Sequence, residues 1–134
     1  MGLDTTHDCW HGPYSAFARW RQWLNLFVMT ERAENGDSKA KEIARMGATP
    51  EAIDLAWSEG LYDDQAIPIN VLMSHSDCDG DIAASVCDPL ADALEALLPQ
   101  MPERALYEGM RPATQRFIDG LRRAAKANEP VIFA

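Results

Sequence analysis

The chain has 134 residues, of which 47% are hydrophobic and 25% charged, a composition typical of one globular domain. Its 12 lysines and arginines stand against 21 aspartates and glutamates, and the resulting net charge of −9 opposes binding to nucleic-acid phosphates and to anionic lipid. Because the chain has no apolar run of about 18 residues and no secretory signal pattern, we expect a soluble, cytoplasmic domain over residues 1–134 without membrane or nucleic-acid partners.

The first half of the chain predicts three helices, because apolar residues recur there every three or four positions. The predicted helices cover residues 14–34, 38–46 and 50–59. Asn35 and Gly36 end the first helix, since both tolerate left-handed backbone. Asp37 or Ser38 caps the second helix, and Thr49 caps the third.

Two short segments predict the strands of a small sheet. Residues 66–74 are apolar and β-branched, which favours one buried strand, and Pro68 is tolerable near the start of a strand. The tail over residues 131–133 reads Val-Ile-Phe. We expect it to form a terminal strand that pairs with residues 69–73 or with the N-terminus.

The second half also predicts two helices. One begins at Asp88 and Pro89, carries four leucines on one face and ends before Pro99. The other has Pro112 in its first turn. Its expected buried residues are Phe117, Ile118, Leu121 and Ala125. Together these elements predict a mainly α-helical (α+β) domain with four to five helices and a small two- or three-stranded sheet.

All three histidines and all three cysteines lie in two short windows. The first window holds His7, Cys9 and His11, and the second holds His75, Cys78 and Cys87. Zinc prefers imidazole nitrogen and thiolate sulfur, and four such ligands from two loops would close a tetrahedral site. We therefore expect one divalent-metal site, with zinc as the expected ion and manganese as the alternative. The expected ligands are His7, Cys9, His75, Asp77, Cys78 and Asp79.

Three alternatives for these residues need no metal. Aspartates form Asx turns and a loop histidine often donates to backbone, so the second window also fits an ordinary surface turn. Free cysteines usually pack as small hydrophobic residues, and the first window fits a turn tucked against the core. The third alternative is a nucleophilic pair in which His7 or His75 activates Cys9 or Cys78.

The last helix is locally basic although the whole chain is acidic. Its cationic residues are Arg116, Arg122, Arg123 and Lys126. Such a charged stretch is usually a solvated face. The alternatives are an acidic partner or a contact with the carboxylates of the second window.

The hexapeptide His-Ser-Asp-Cys-Asp-Gly, which begins at His75, resembles the first metal-binding motif of the DHH phosphoesterases. In that family the motif follows a buried strand. The resemblance implies that His75, Asp77 and Asp79 bind a manganese-type ion that holds phosphate oxygens and acidifies a water molecule. This chain has no Asp-His-His triplet, the second motif of that family. A metal-dependent hydrolase or phosphodiesterase is therefore the alternative function.

Motifs along almost the whole chain resemble those of an uncharacterised family of small phage and bacterial proteins. They are MGLDTTHDCW at the N-terminus, YSAF and RWR within residues 14–21, HSDCDG at 75–80 and FIDGL at 117–121. The resemblance implies that His7, Asp8 and Cys9 share one site with residues 75–80. It also implies a protein that acts by binding a host or phage factor. An acidic decoy of nucleic acid is a third class that the net charge allows.

Overall fold

The computed structural model describes residues 2–101 and 109–134 of the chain. Its helices are α1 (Tyr14–Glu34), α2 (Ser38–Ala44), α3 (Pro50–Ser58), α4 (Pro68–Met73), α5 (Ala84–Leu97) and α6 (Met110–Ala127). Its strands are β1 (Gly2–Asp4), β2 (His11–Pro13), β3 (Asp81–Ile82) and β4 (Val131–Ile132). The predicted mainly α-helical α+β fold is confirmed. The described ranges hold one helix more than expected and two two-stranded sheets instead of one.

The first three helices lie where the sequence predicts them. The helix α1 has the predicted bounds, and α2 and α3 end one or two residues early. Both predicted caps are present: the Asp37 side chain accepts from the backbone N–H of Ala40 at 3.1 Å, and the Thr49 hydroxyl accepts from Ala52 at 3.2 Å. These bonds satisfy N–H groups that the first turn of a helix leaves free, so local sequence determines where α2 and α3 begin.

The predicted strand over residues 66–74 is wrong, because this segment forms the helix α4. Pro68 is the first helical residue, where its missing N–H has no intrahelical partner to lose. Ile69, Leu72 and Met73 are buried, and their spacing of three and four places them on one helix face. A short apolar run of this kind fits either element, and here the proline begins a helix.

Two arginines of α1 hold α4 in place. Arg32 donates to the side-chain oxygen of Asn70 at 2.6 Å. Arg21, only 6% exposed, donates to the carbonyls of Leu72 at 3.1 Å and His75 at 2.6 Å. Carbonyls at the C-terminus of a helix have no partner inside it, and the negative end of the helix dipole favours a cation such as Arg21 there.

The helix α5 begins earlier than predicted. Its first residue is Ala84 and not Asp88, and the helix continues through Pro89. A proline inside a helix removes one backbone hydrogen bond, which the buried face of α5 offsets by packing against α6. Three of the four leucines on the predicted face are buried, namely Leu90, Leu94 and Leu97. Of the inward residues predicted for α6, Phe117, Ile118 and Leu121 are buried and Ala125 is half-buried.

The tail of the chain joins the two sheets. The strand β1 pairs antiparallel with β2, and β3 pairs antiparallel with β4. Beyond β4, Ala134 exchanges two backbone hydrogen bonds with Asp4, at 3.1 and 2.9 Å, and Phe133 forms a bridge with Thr5. On its other side, Phe133 donates to the carbonyl of Gly80 at 2.9 Å. The predicted contact of the tail with the N-terminus is confirmed, and pairing with residues 69–73 is wrong because those residues are helical.

Candidate functional site

The second window is a surface loop that closes around an imidazole. The His75 ring has Nδ1 at 2.7 Å from the Ser76 carbonyl oxygen and Nε2 at 2.9 Å from that of Asp81. The ring also stacks on Phe133, with 4.1 Å between centroids. Gly80 has a φ of 89°, and a Cβ at this position would lie 3.4 Å from the imidazole. Glycine therefore gives the loop both its turn and its close approach to the ring.

These contacts of the His75 ring compete with metal ligation by the second window. A metal ion binds a ring nitrogen through its lone pair, and both nitrogens of His75 lie at hydrogen-bond distance from carbonyl oxygens. Ligation by His75 therefore requires that one of these contacts opens. Asp77, Cys78 and Asp79 are exposed on the loop beside it. Within residues 2–101 and 109–134, no three His, Cys, Asp or Glu side chains are grouped to hold an ion.

The first window is a tight turn that lies against α6. His7 and Asp8 both have left-handed backbone, with φ of 60° and 57°. Such a conformation costs about 1–2 kcal/mol for each residue other than glycine. Arg123 donates twice to the His7 carbonyl, at 3.2 and 2.6 Å, and Arg116 pairs with the Asp8 carboxylate at 2.7 Å. The Arg116 guanidinium lowers the pKa of Asp8, so the two arginines of α6 stabilise the strained turn.

The histidines of the first window have carboxylate partners. The Nε2 of His7 lies 3.3 Å from a carboxylate oxygen of Glu129. The Nδ1 of His11 contacts Asp4, which is its cross-strand partner in the β1–β2 pair. Of the two, only His7 is an expected ligand, and its carboxylate partner Glu129 lies outside both windows.

Cys9 is a packing residue of the interface between the first window and α6. Its side chain is fully buried, and burial raises the pKa of the thiol to about 12. A Cβ placed on Gly120 would lie 2.4 Å from the Cys9 sulfur, so only glycine allows α6 to approach this closely. A thiol with such a pKa stays protonated at neutral pH, and the thiolate is the form that attacks or ligates. The geometry therefore favours the packing alternative for Cys9.

The tail strand lies between the two windows. Thr5 and Asp4 flank it on one side, and Gly80 flanks it on the other. Neighbouring strands are roughly 4.8 Å apart, so the backbones on either side of the tail are about 10 Å apart. The structure therefore brings the windows to opposite edges of one strand and does not bring the six expected ligands together. The zinc site and its manganese alternative remain predictions.

The three cysteines are expected to differ sharply in reactivity. Cys78 is exposed, whereas Cys9 and Cys87 are buried and burial raises the pKa of both thiols. A disulfide reagent added to the native protein at pH 8 should therefore modify one thiol quickly, and all three only after denaturation. The Cys78→Ser variant is the control, because its native form should lack the fast phase. Two fast thiols in the native protein would contradict the burial of Cys9 or Cys87.

One arginine of the basic helix α6 is neutralised by carboxylates of α5. Arg122 binds three carboxylates, those of Asp88 at 3.0 Å, Asp92 at 2.7 Å and Glu95 at 3.0 Å, and they raise its pKa. All three carboxylates belong to α5, so Arg122 forms an intrachain contact with a neighbouring helix. A contact of α6 with the carboxylates of the second window stays a prediction. The cluster links α6 to α5 on the protein surface, where solvent weakens each pair.

Trp57 is a candidate binding residue that the sequence analysis did not single out. Its side chain is 41% exposed, and its indole N–H donates to the Met73 carbonyl at 2.8 Å. Arg21, which binds the His75 carbonyl, lies 5.7 Å from the centre of the indole ring. Burial lowers the pKa of Arg21 and the Asp77 carboxylate opposes this shift. Arg21 therefore connects Trp57 with the start of the loop. The sequence feature that could have identified Trp57 is a large aromatic residue just outside the buried stripe of α3.

No protein-family model, curated protein or solved structure matches this chain. The resemblances to the phage and bacterial family and to the DHH phosphoesterase motif therefore remain predictions. Among the helices that the structure describes, none is long and apolar enough to cross a bilayer.

Proposed function

We propose that this protein acts by binding a basic partner protein through Trp57 and the exposed loop at residues 76–81. The observation that carries the proposal is the exposure of this tryptophan, 41%, together with its fixed orientation by the hydrogen bond to the Met73 carbonyl. Tryptophan is enriched among the residues that dominate binding energy at protein interfaces. A held ring offers a large contact area at low entropic cost.

Charge supports a basic partner. Asp77, Asp79 and Asp81 are all exposed on the loop that follows His75. A net charge of −9 accelerates the encounter with a positively charged protein, and lysine or arginine side chains also bind over the face of an indole ring. Trp57 and the loop therefore provide two complementary ways to bind a cation.

The loop is ordered before any partner binds, which favours a role in recognition. His75 contacts two carbonyls of its own loop and stacks on Phe133, and Arg21 binds the carbonyl of His75. Ordering a loop in advance lowers the entropy lost on binding. In this proposal His75 positions the loop, and the aspartates on either side of Cys78 contact the partner.

Finer expectations belong to the same proposal. A host or phage factor is the expected partner, the cytoplasm is the expected location, and nucleic acid is not an expected ligand. The alternative of a metal-dependent hydrolase requires that His75, Asp77 and Asp79 share one ion. No grouping of that kind occurs among the described residues, so no observation favours this alternative.

A displayed library of random peptides, selected on the immobilised protein, tests the proposal. We expect the enriched peptides to be rich in lysine and arginine. The Trp57→Ala variant should weaken their binding roughly 30-fold, the effect of losing a hot-spot residue worth about 2 kcal/mol. Binding should also weaken as salt rises, because exposed charges are screened.

Met46→Ala is the matched control, because Met46 is also a partly exposed apolar residue, at 37%, but lies in the turn that follows α2. Circular dichroism checks that each variant is folded, and Trp57→Phe retains an aromatic ring if the alanine variant unfolds. Enriched peptides that are neutral or acidic would contradict the proposal. Equal binding to the wild type and to both Trp57 variants would also contradict it.

A further inference from the structure

A groove of about 180 Å³ lies between α1, α4 and α5. Its apolar lining includes Val28, Ile67, Ile69, Ala93 and Leu97. Pockets that enclose small molecules measure roughly 300–1,000 Å³, so this groove suits one side chain better than a whole ligand. Interfaces between proteins commonly bury single large side chains in pockets of this kind.

The groove is open because one wall has an exposed isoleucine and the opposite wall has a small alanine. Ile67 is 42% exposed, although isoleucine is among the most commonly buried residue types. It precedes the first residue of α4, and its extended backbone, with φ of −90° and ψ of 115°, keeps it outside the buried helix face. On the opposite wall, Ala93 is half-buried and small, so α5 leaves space for an incoming side chain.

The rim of the groove carries a negative charge. The exposed side chain of Glu31 lines the groove and forms no ion pair or hydrogen bond with any residue in the described part of the chain. Its neighbour Arg32 also lines the groove, but its guanidinium donates to the Leu61 carbonyl and the Asn70 side chain. Arg32 is therefore committed to these two partners, and the Glu31 carboxylate is available to a cation from outside the described residues.

We infer that the groove binds a short basic peptide segment of a partner protein. A large aliphatic side chain of that segment, such as leucine, fills the space beside Ile67 and Ala93, and a lysine or arginine next to it pairs with Glu31. The net charge of −9 favours the same class of segment. The groove shares no residue with Trp57 and the loop at 76–81, so this inference and the proposed function fail independently.

Nuclear magnetic resonance with designed peptides tests the inference. The probe is a short peptide with one leucine between two lysines, and its controls replace the leucine with serine or the lysines with glutamate. We expect the leucine peptide to shift the amide signals of Ile67, Ile69 and Ala93 in a saturable way, and both controls to leave them unchanged. Shifts of equal size with the serine peptide would overturn the inference.

Two variants locate the binding in the groove. Ala93→Trp fills the space, and Glu31→Lys reverses the rim charge, so each should weaken binding of the leucine peptide about tenfold or more. Ala127→Trp, in the exposed last turn of α6, is the control and should bind as the wild type does. Unchanged binding by Ala93→Trp would overturn the inference. Groove signals that move with protein concentration alone would assign the groove to a second copy of this chain and also overturn it.

Discussion

Replacing Phe133 with alanine is expected to lower the free energy of unfolding by about 3–5 kcal/mol, the usual cost of removing a buried phenylalanine ring. The side chain is 3% exposed. It packs edge-on against Phe17, with 6.0 Å between centroids, and stacks on His75 at 4.1 Å. The loss is large because this one ring fills the space between α1 and the second window.

Urea denaturation of the wild type and of Phe133→Ala measures this difference. Ile132→Ala is the matched control, since Ile132 precedes Phe133 in the tail but is 47% exposed. Its substitution should change stability by no more than about 0.5 kcal/mol. Amide exchange should also become faster at residues 76–81 in Phe133→Ala, because the ring that supports His75 is gone. Equal losses in the two variants would show that the tail does not pack as described.

The parts of the fold that the sequence predicts correctly depend on local signals. The apolar stripe of α1 and the Asp37 and Thr49 caps each involve residues within a few positions of one another. A cap and the N–H group that it satisfies lie about three residues apart, so the sequence contains both partners of the interaction. The predicted bounds of the first three helices were accordingly close to those observed.

The segment at residues 66–74 shows what local sequence signals cannot decide. Its residues fit a buried strand and a buried helix equally well by periodicity. The contacts that hold α4, from Arg21 to the Leu72 carbonyl and from Arg32 to Asn70, span 51 and 38 residues. No pattern within residues 66–74 predicts these long-range contacts with α1. The one local feature that favours α4 is Pro68, because proline is well tolerated as the first residue of a helix.

The sequence could not show how the two windows are arranged for the same reason. The sequence places the chemically active residues in two windows, but it does not say what lies between them. The bridge between Thr5 and Phe133 joins residues 128 positions apart and inserts the tail between the windows. The roles of the individual residues also changed, because Cys9 is a packing residue opposite Gly120 and His75 orders its own loop. Trp57, which has no metal-ligating chemistry, then became the strongest candidate for binding.

Replacing Gly120 with alanine should destabilise the protein by at least about 3 kcal/mol, the upper end of the usual cost of overpacking a core. Helix propensity alone predicts a gain of about 1 kcal/mol, since Gly120 lies in the interior of α6. The steric clash of the added Cβ outweighs this gain, so the net change in stability is a loss. The added Cβ would lie 2.4 Å from the Cys9 sulfur, 2.8 Å from its Cα and 2.9 Å from its backbone nitrogen.

Rotation of the Cys9 side chain cannot relieve contacts with its own backbone, so α6 and the first window must separate. The bonds from Arg116 to Asp8 and from Arg123 to the His7 carbonyl would then lengthen, and the left-handed turn would lose its support. Thermal unfolding of Gly120→Ala, of Cys9→Ala and of the double variant separates the two parts of the clash. Cys9→Ala removes the sulfur contact alone, so the double variant should recover part of the loss and not all of it. Full recovery would place the whole clash on the sulfur, and a more stable Gly120→Ala would mean that α6 does not contact the turn.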